Sequence, residues 1–481
     1  MMEQDRLKTG GLPGSMHFVG IAGIGMSGVA QAAASRGIRV TGSDRALHSA
    51  ENERILSSLR KQGIRLFEQD GSVYRSGEPL PEALVYSTAV EEDNPDFLQA
   101  PRGIRRLHRS EAITLLACNT PGERICAVAG TSGKTTVTAW LTESLYRLGA
   151  DPGSLCGGLM NLFSDHDLCG NFLPGKGPFV LEADESDKSL LNYTPDSALV
   201  LNIGTDHYSR EELADVFRRF LLSAKGPAVV GDRAFLEMGP SHFRGRDVTL
   251  FSADPGPDSL DGFPVRRLTS RRAARDGYFC SFAGSEEFRL PSPGLHSALN
   301  ALAVHTMLTA MGYDSGRALD ALKRFSGVWR RFDFAGHLPS GAPVYDDYAH
   351  NVEKIRSCLA AAKPMAAGRI FAVFQPHGFR PLGFMREELF AMLEETLGPG
   401  DEFLFLPVFY AGGTASFTPT SDEVAASFAA RSSHPERYRC VADRSEAEAR
   451  LASAGGEDLV LIMGARDNSL SLWAKKICGT A

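Results

Sequence analysis

Apolar residues fall in short runs that alternate with longer Ala-rich or amphipathic stretches, and the alternation begins at Met16. There MHFVGIAGIGMSGVAQAAASRGIRVTGSD reads as a buried strand, a Gly-rich turn, a helix, and a second strand ending at Asp44. Further strand-like pieces follow at Ala83 to Ser87 and around Ile104 to Leu107. A second cycle opens at Arg124 with ICAVAGTSGKTT and continues through strands near Phe179 to Glu182 and Ala198 to Asn202. From Val248 to Leu290, short apolar pieces between Pro, Gly and Asp predict a β-rich addition. HSALNALAVHTMLTAMG, after Gly294, predicts a helix, and a third cycle runs from about Gly327 to the end. Strands that alternate with helices predict parallel α/β sheets.

Composition bounds this picture. At 481 residues and about 150 per domain, the chain has room for about three domains. Hydrophobic residues make up 43% and charged residues 23%, a globular balance that excludes a mostly disordered or fibrous chain. The formal charge is −7. No net basic field is available to hold a phosphate backbone, which argues against a dedicated nucleic-acid binder. The cysteines, Cys118, Cys126, Cys156, Cys169, Cys280, Cys358, Cys440 and Cys478, form no C-x-x-C pair. They suit neither a zinc cage nor a disulfide framework and are expected to be reduced thiols of a cytoplasmic protein. The first fifteen residues are polar and show no signal peptide. No run approaches the ~18 apolar residues of a spanning helix, so no membrane insertion is expected. Arg266, Arg267, Arg271, Arg272 and Arg275 read as a solvated face.

The chemistry lies in the turns. Gly130-Thr131-Ser132-Gly133-Lys134-Thr135-Thr136 joins an apolar strand to a helix, an arrangement that aims backbone N–H groups at an anion on the helix N-terminus. Lys134 adds a point charge for β- and γ-phosphates, and the Thr135 hydroxyl a ligand for Mg²⁺. The P-loop pattern is incomplete, because Val128 stands at its first glycine. Two acidic clusters, Glu182-Ala183-Asp184-Glu185-Ser186-Asp187 and Asn202-Ile203-Gly204-Thr205-Asp206-His207, directly follow apolar strands. In an open α/β sheet both are delivered to the carboxyl edge, where divalent cations sit on phosphates and one or two side chains. The N-terminal turn, with Gly23, Ile24, Gly25, Met26, Ser27 and Gly28, fits G-x-G-x-x-G, and Asp44 ends the next strand. Alone it suits a nicotinamide-dependent oxidoreductase; the physics asks only for a pyrophosphate, which a nucleotide-sugar also carries.

In order along the chain, HFVGIAGIGMSGVA, STAV with Asn94-Pro95, GTSGKTT, EADESD, NIGTDH, PGLHSALNALAV, RRFDFAG, YDDYAH and FQPH resemble the Mur ligases of peptidoglycan synthesis, in particular the members that add L-alanine. The resemblance implies an α/β protein of three domains: an N-terminal Rossmann-like UDP-sugar domain over 16–118, a central P-loop ATPase-type domain over 119–326, and a C-terminal Rossmann-like ligase domain over 327–481. It implies ATP and Mg²⁺, with UDP-N-acetylmuramate and an amino acid as the partners. The muramyl carboxylate would attack the γ-phosphate, and the amine would attack the resulting acyl phosphate. By resemblance Thr135, Glu182 and His207 lie on the magnesium side, and His296 and Asn300 contact adenine. Arg331 reaches the nucleotide phosphates, while Asp346 and His350 line the ATP and amino-acid side. Gly23 to Ser27, Asp44, Ser87 and Thr88 hold the UDP-sugar. Lys134, Glu182, His207, His350 and Arg380 are the expected catalytic set.

The departures concern the second substrate. Alanine-adding members usually read GHHP where this chain has Ala349-His350-Asn351-Val352, and FQPHRYSR where it has Phe374-Gln375-Pro376-His377-Gly378-Phe379-Arg380-Pro381. The arginine positions expected to bind the amino acid's carboxylate are thus Gly378 and Pro381, with Arg380 one residue off register. Arg466 stands where the family often has Gly. Losing a charged partner for a carboxylate costs about 1.5–3 kcal/mol, enough to change which amine is accepted. The first half-reaction is expected intact. A relative that attaches a ready-made peptide, and a paralogue that binds UDP-sugar and ATP without ligation, stay open at this stage.

Overall fold

Each expected strand–turn–helix cycle becomes a layer of a parallel sheet. The computed structural model describes residues 11–49, 52–118, 124–164, 168–186, 188–204, 208–409 and 417–479. The chain divides into two compact units, the larger from Met1–Thr269, Phe282–Glu286 and Leu299–Trp329, the smaller from Ser270–Ser281, Glu287–Ala298 and Arg330–Ala481.

The larger unit holds two sheets. In the first, Ser15–Val19 is the middle strand of five, in the order Arg65–Glu68, Arg39–Asp44, Ser15–Val19, Ala83–Tyr86, Arg105–His108. Every pairing is parallel. The strand order reverses at Ser15–Val19, so the crevice of the sheet opens beyond its carboxyl end. The Gly-rich turn starts there and leads into the helix Ile24–Ser35. In the second sheet, Ile125–Ala129 lies between Phe179–Glu182 and Ser197–Val200, parallel to both. That position sets the starts of both loops, at Glu182 and at Asn202, on either side of the Lys134 turn. One hydrophobic core runs through the two sheets, from Met16 and Phe18 to Ala127, Leu181, Phe217 and Leu250. The helix Lys134–Arg147 is fixed from behind, where Trp140 stacks on Phe325 with ring centroids 4.6 Å apart and donates to Leu322 O at 2.8 Å.

The smaller unit holds a six-stranded sheet in the order Asp333–His337, Pro343–Asp347, Leu459–Gly464, Ile370–Gln375, Glu402–Phe405, Tyr438–Cys440. Only the first pairing is antiparallel. Apolar side chains cover both of its faces, Phe374, Phe403 and Met463 on one side and Phe371, Val373 and Ile462 on the other. Such two-sided burial explains why IFAVFQ and LVLIMG read as unbroken apolar runs. The strand Arg65–Glu68 gave no such signal, because it is an edge strand with no fully buried residue. Arg266, Arg271, Arg272 and Arg275 are exposed; Arg272 pairs with Glu287 at 2.8 Å and Arg275 with Glu457 at 3.4 Å.

One close approach seats the N-terminal turn. Phe18 is paired with Gly42, and Ile21 of the turn lies directly over that glycine, where an added Cβ would stand 2.8 Å from Ile21 Cβ. Gly20 and Ile21 also donate to Ser43 O at 2.8 and 3.0 Å. Gly42→Ala is therefore expected to destabilise the protein by about 1–3 kcal/mol through overpacking, seen as a lower thermal midpoint. An unchanged midpoint would mean that the turn is not seated on Gly42.

Candidate functional site

In the larger unit the Lys134 turn is closed by the neighbouring strand end. Thr131 N donates to Asn202 O at 3.2 Å and Ser132 N to Asn202 Oδ1 at 2.9 Å, while Asn202 Nδ2 returns a bond to Ser132 O at 3.0 Å. Gly130 and Gly133 have φ of 136° and 89°, values that favour glycine. A Cβ on Gly133 would also stand 3.0 Å from Asn300 Oδ1. Asn300 thus lies beside the turn. The helix begins at Lys134, so the N–H groups of its first turn, Lys134 to Thr136, have no partner inside the helix. Such groups, with Gly133, can seat an anion.

Charge is concentrated at this turn. Lys134 Nζ donates to Gly130 O at 2.8 Å and to Glu185 Oε2 at 2.7 Å. Thr135 Oγ1 donates to Glu182 Oε1 at 2.9 Å, and Gly157 N to Glu182 Oε2 at 2.6 Å. Burial works against the Lys134 ammonium, but Glu185, Asp184 and Glu182 outweigh it and hold the group above its usual range. Three carboxylates share one ammonium, so burial leaves Glu185 above the ordinary carboxylate range despite Lys134. His207 and Asp187 lie outside the described residues.

The Gly-rich turn of the same unit is braced from three sides. Ala22 N donates to Asp44 Oδ2 at 2.8 Å, so Asp44 holds the turn itself. Asn171 Nδ2 donates to Ile24 O at 2.5 Å and to Ser27 Oγ at 2.8 Å. Met26 and Ser27 are buried, and their N–H groups both donate to Gly23 O, at 3.1 and 2.8 Å, so the two residues hold the turn from inside. Arg109 lies against Gly25 so closely that a Cβ there would overlap its guanidinium, and it reaches Asp184 at 3.7 Å. Ser87 and Thr88 follow the adjacent strand Ala83–Tyr86 and so share this edge. Arg109 and Asn171 were not legible as site residues, since neither belongs to a local motif.

The smaller unit carries the rest. His350 and His377 meet edge to face, with ring centroids 5.0 Å apart. His350 Nδ1 lies 2.9 Å from Tyr348 O; a carbonyl accepts only, so Nδ1 carries the proton and Nε2 is left as an acceptor. Burial, helped by Lys354, pushes His350 down to about 3. Burial, helped by Arg466 and Lys354, pushes His377 down to about 4. Both imidazoles are neutral at pH 7. Arg331 lies over the Tyr348 ring at 5.4 Å, Arg380 is exposed at the start of the helix Phe379–Thr396, and His296 is exposed at the start of Leu295–Ala310. Asp346 differs from its expected place on the nucleotide. It is 1% exposed and both its oxygens take Arg330 Nε at 3.2 Å. Its physical job is to hold Arg330, because a contact elsewhere would strand a buried charge.

Residues 15–120 match the Mur ligase family catalytic domain, 128–308 the Mur ligase middle domain, and 330–466 the Mur ligase glutamate ligase domain. The UDP-N-acetylmuramate–L-alanine ligase of Kineococcus radiotolerans is 35% identical over 94% of this chain and 94% of its own length. That of Methylorubrum extorquens is 33% identical over 97% of each. The crystal structure of UDP-N-acetylmuramate–alanine ligase from Thermotoga maritima superposes with a TM-score of 0.76 at 28% identity, covering 97% of this chain and 98% of that one. A murein peptide ligase from Psychrobacter arcticus shares the fold, with a TM-score of 0.65 at 20% identity over 97% of this chain and 98% of that one.

The two histidines make the smaller unit acid-sensitive. Their folded values lie below the ordinary 6.5, so the unfolded chain binds protons first as pH falls. Their contribution is complete above about pH 6.5 and is lost as pH drops from there through about 4 and about 3. Protection of Ile370–Gln375 against hydrogen exchange in urea, taken relative to the intrinsic exchange rate at each pH, is expected to fall between pH 7 and pH 5, and to fall less in the His350→Gln, His377→Gln variant. Equal slopes for the two proteins would contradict the assignment.

Proposed function

The chain belongs to the Mur ligase family, and from that premise we propose that it joins L-alanine to the muramyl carboxylate of UDP-N-acetylmuramate, converting ATP to ADP and phosphate. The observation that carries the reading is the Lys134 turn with its flanking strand ends, where one ammonium, a hydroxyl and three carboxylates gather on a helix N-terminus. In this reading 16–118 takes the UDP-sugar, 119–326 the ATP and 327–481 the amine.

The nucleotide phosphates lie along Gly130, Thr131, Ser132, Gly133, Lys134, Thr135 and Thr136, with Lys134 as counter-charge to the β- and γ-phosphates. Asn300 and His296 take the adenine side, and Arg331 the phosphates from the third domain. The Thr135 hydroxyl and Glu182 carboxylate are hard oxygen donors 2.9 Å apart, and they fit Mg²⁺, with His207 as a further candidate. Among the described residues no three His, Cys, Asp or Glu side chains gather to hold a metal, so such an ion depends on the phosphates for its other ligands. Magnesium there would neutralise charge developing on the transferred phosphoryl group. The diphosphate of the UDP-sugar lies on the Gly23 to Ser27 turn, near Ser87 and Thr88, and Arg109 faces the same anion.

The muramyl carboxylate oxygen attacks the γ-phosphorus and ADP leaves. The amine then attacks the acyl carbon, and collapse of the tetrahedral intermediate expels phosphate. His350 Nε2, an acceptor at pH 7, takes a hydrogen bond from the amine, and Arg380 is a further candidate on the amino-acid side. The described cysteines are all free thiols, which suits the cytoplasm, where ATP and nucleotide-sugars are found. No described helix is long and apolar enough to cross a membrane.

Phosphate release with ATP, Mg²⁺, UDP-N-acetylmuramate and L-alanine, together with a product heavier by one alanine residue, is the expected result. Turnover with a peptide and none with alanine would move the chain to a recycling role; binding of both nucleotides without turnover would remove ligation. Lys134→Ala is expected to lower turnover by about a hundredfold or more with the circular dichroism of the folded protein retained. The Lys134→Ala, Glu185→Gln variant, which leaves no buried charge unmatched, is expected to be as inactive; wild-type rates in either would contradict the phosphate assignment.

A further inference from the structure

Three neighbouring parallel strands of the smaller unit, Pro343–Asp347, Leu459–Gly464 and Ile370–Gln375, point their carboxyl ends to one edge. The loops beyond them carry His350, Arg466 and His377. Arg466 has φ of 67°, a conformation that a residue with a side chain keeps only where its surroundings impose it. The imposing group is Arg330. Its Nη2 donates to Gly464 O at 2.6 Å and its Nη1 to Asp467 O at 2.9 Å, so it grips the chain on both sides of Arg466. Asp467, itself buried, is tied to Arg444 at 2.7 Å, and Arg466 N donates to Tyr348 Oη at 3.4 Å. The backbone is clamped and the Arg466 side chain is left exposed.

That guanidinium has no ion-pair partner among the described residues, and neither has Arg380. The nearby carboxylates are engaged elsewhere, Asp346 by Arg330 and Asp347 by the N–H groups of Phe332 and Ala349 at 2.7 Å each. Positive charge at this edge is therefore uncompensated. Beside it stand polar atoms without partners. Gln375 is 9% exposed, pairs in register with Gly464, and its Oε1 is buried without a hydrogen-bond partner, as is His377 Nδ1. A free cation on a clamped backbone, next to the buried, unsatisfied acceptor Gln375 Oε1, fits a ligand that is an anion at one end and a donor at the other. A zwitterionic α-amino acid is such a ligand.

We infer that Arg466 binds the carboxylate of the incoming amino acid, with Gln375 Oε1 receiving a hydrogen from its amine. This inference rests on the proposed reading that the second substrate is a free amino acid. It accounts for Gly378 and Pro381: the charge they lack is supplied from the adjacent strand end.

The test compares wild type with Arg466→Gly, which also relieves the left-handed backbone, using L-alanine and L-alaninamide, whose carboxylate charge is absent. Arg466→Gly is expected to raise the KM for L-alanine about 10- to 100-fold, with KM for ATP and UDP-N-acetylmuramate within twofold of wild type. Use of L-alaninamide is expected to change less than threefold, and Arg466→Lys to recover part of the loss. An unchanged KM for L-alanine, or an equal loss with the amide, overturns the role of Arg466 and leaves the ligase reading standing. A wild-type protein that does not turn over L-alanine overturns that reading and this inference with it.

Discussion

Lys134 Nζ is held 2.8 Å from its own turn's Gly130 carbonyl and 2.7 Å from Glu185, and the chemistry proposed for the phosphate turn follows from keeping that charge in place. A ligase of this kind brings together a carboxylate, a diphosphate and a triphosphate, all negative. Without fixed counter-charge, the reactants repel each other before any bond forms. A lysine left free in water would supply the charge, but it would also have to be ordered as the ligand arrives, at an entropic cost. Glu185, Asp184 and Glu182 order it beforehand. Phosphate oxygens then exchange with carboxylate oxygens around an ammonium already in position, which is electrostatic preorganisation in its simplest form.

The smaller unit applies the same device to a loop. The pair Arg330–Asp346 is almost fully buried, with side-chain exposures of 1% and 2%. A buried ion pair is a weak source of net stability, because desolvation offsets most of the attraction. Its value here is geometric: with Asp346 fixing one side of the guanidinium, the remaining donors reach the carbonyls of Gly464 and Asp467. Strand ends are loose by nature, and a buried fork that binds both shoulders of a loop makes one of them rigid.

The sequence revealed whatever depends on local pattern. Glycines at fixed spacing, the Gly-Lys-Thr of the phosphate turn and the acidic residues directly after an apolar strand all report on neighbours a few residues away, and the adjacent strands Ile125–Ala129 and Phe179–Glu182 bring Lys134, Glu182 and Glu185 to one edge. What depends on tertiary pairing left no signature. Asn171 and Ser27 are 144 residues apart, and Arg109 meets Asp184 only after two sheets have packed. Arg65–Glu68 was silent because an exposed edge strand has no core face to alternate against. Asp346 was expected on the nucleotide because it lies in the same short motif as His350. Yet Asp346 lies inside the strand Pro343–Asp347 while His350 lies in the loop beyond it, and neighbours in a motif can serve unlike ends.

Parallel sheets also explain how a binding charge can move without loss of the site. Adjacent strands lie about 4.8 Å apart, less than the reach of an arginine side chain. A guanidinium missing from the loop after Ile370–Gln375 is therefore replaceable from the loop after Leu459–Gly464, its hydrogen-bonded neighbour. It is not replaceable from Tyr438–Cys440, which lies two strands farther out on the other side. The replacement carries a condition, because a new arginine is useful only where its backbone is fixed and no carboxylate neutralises it. Arg466 meets both conditions through Arg330, which rigidifies the loop and occupies Asp346, the buried acid that would otherwise compete for the new charge.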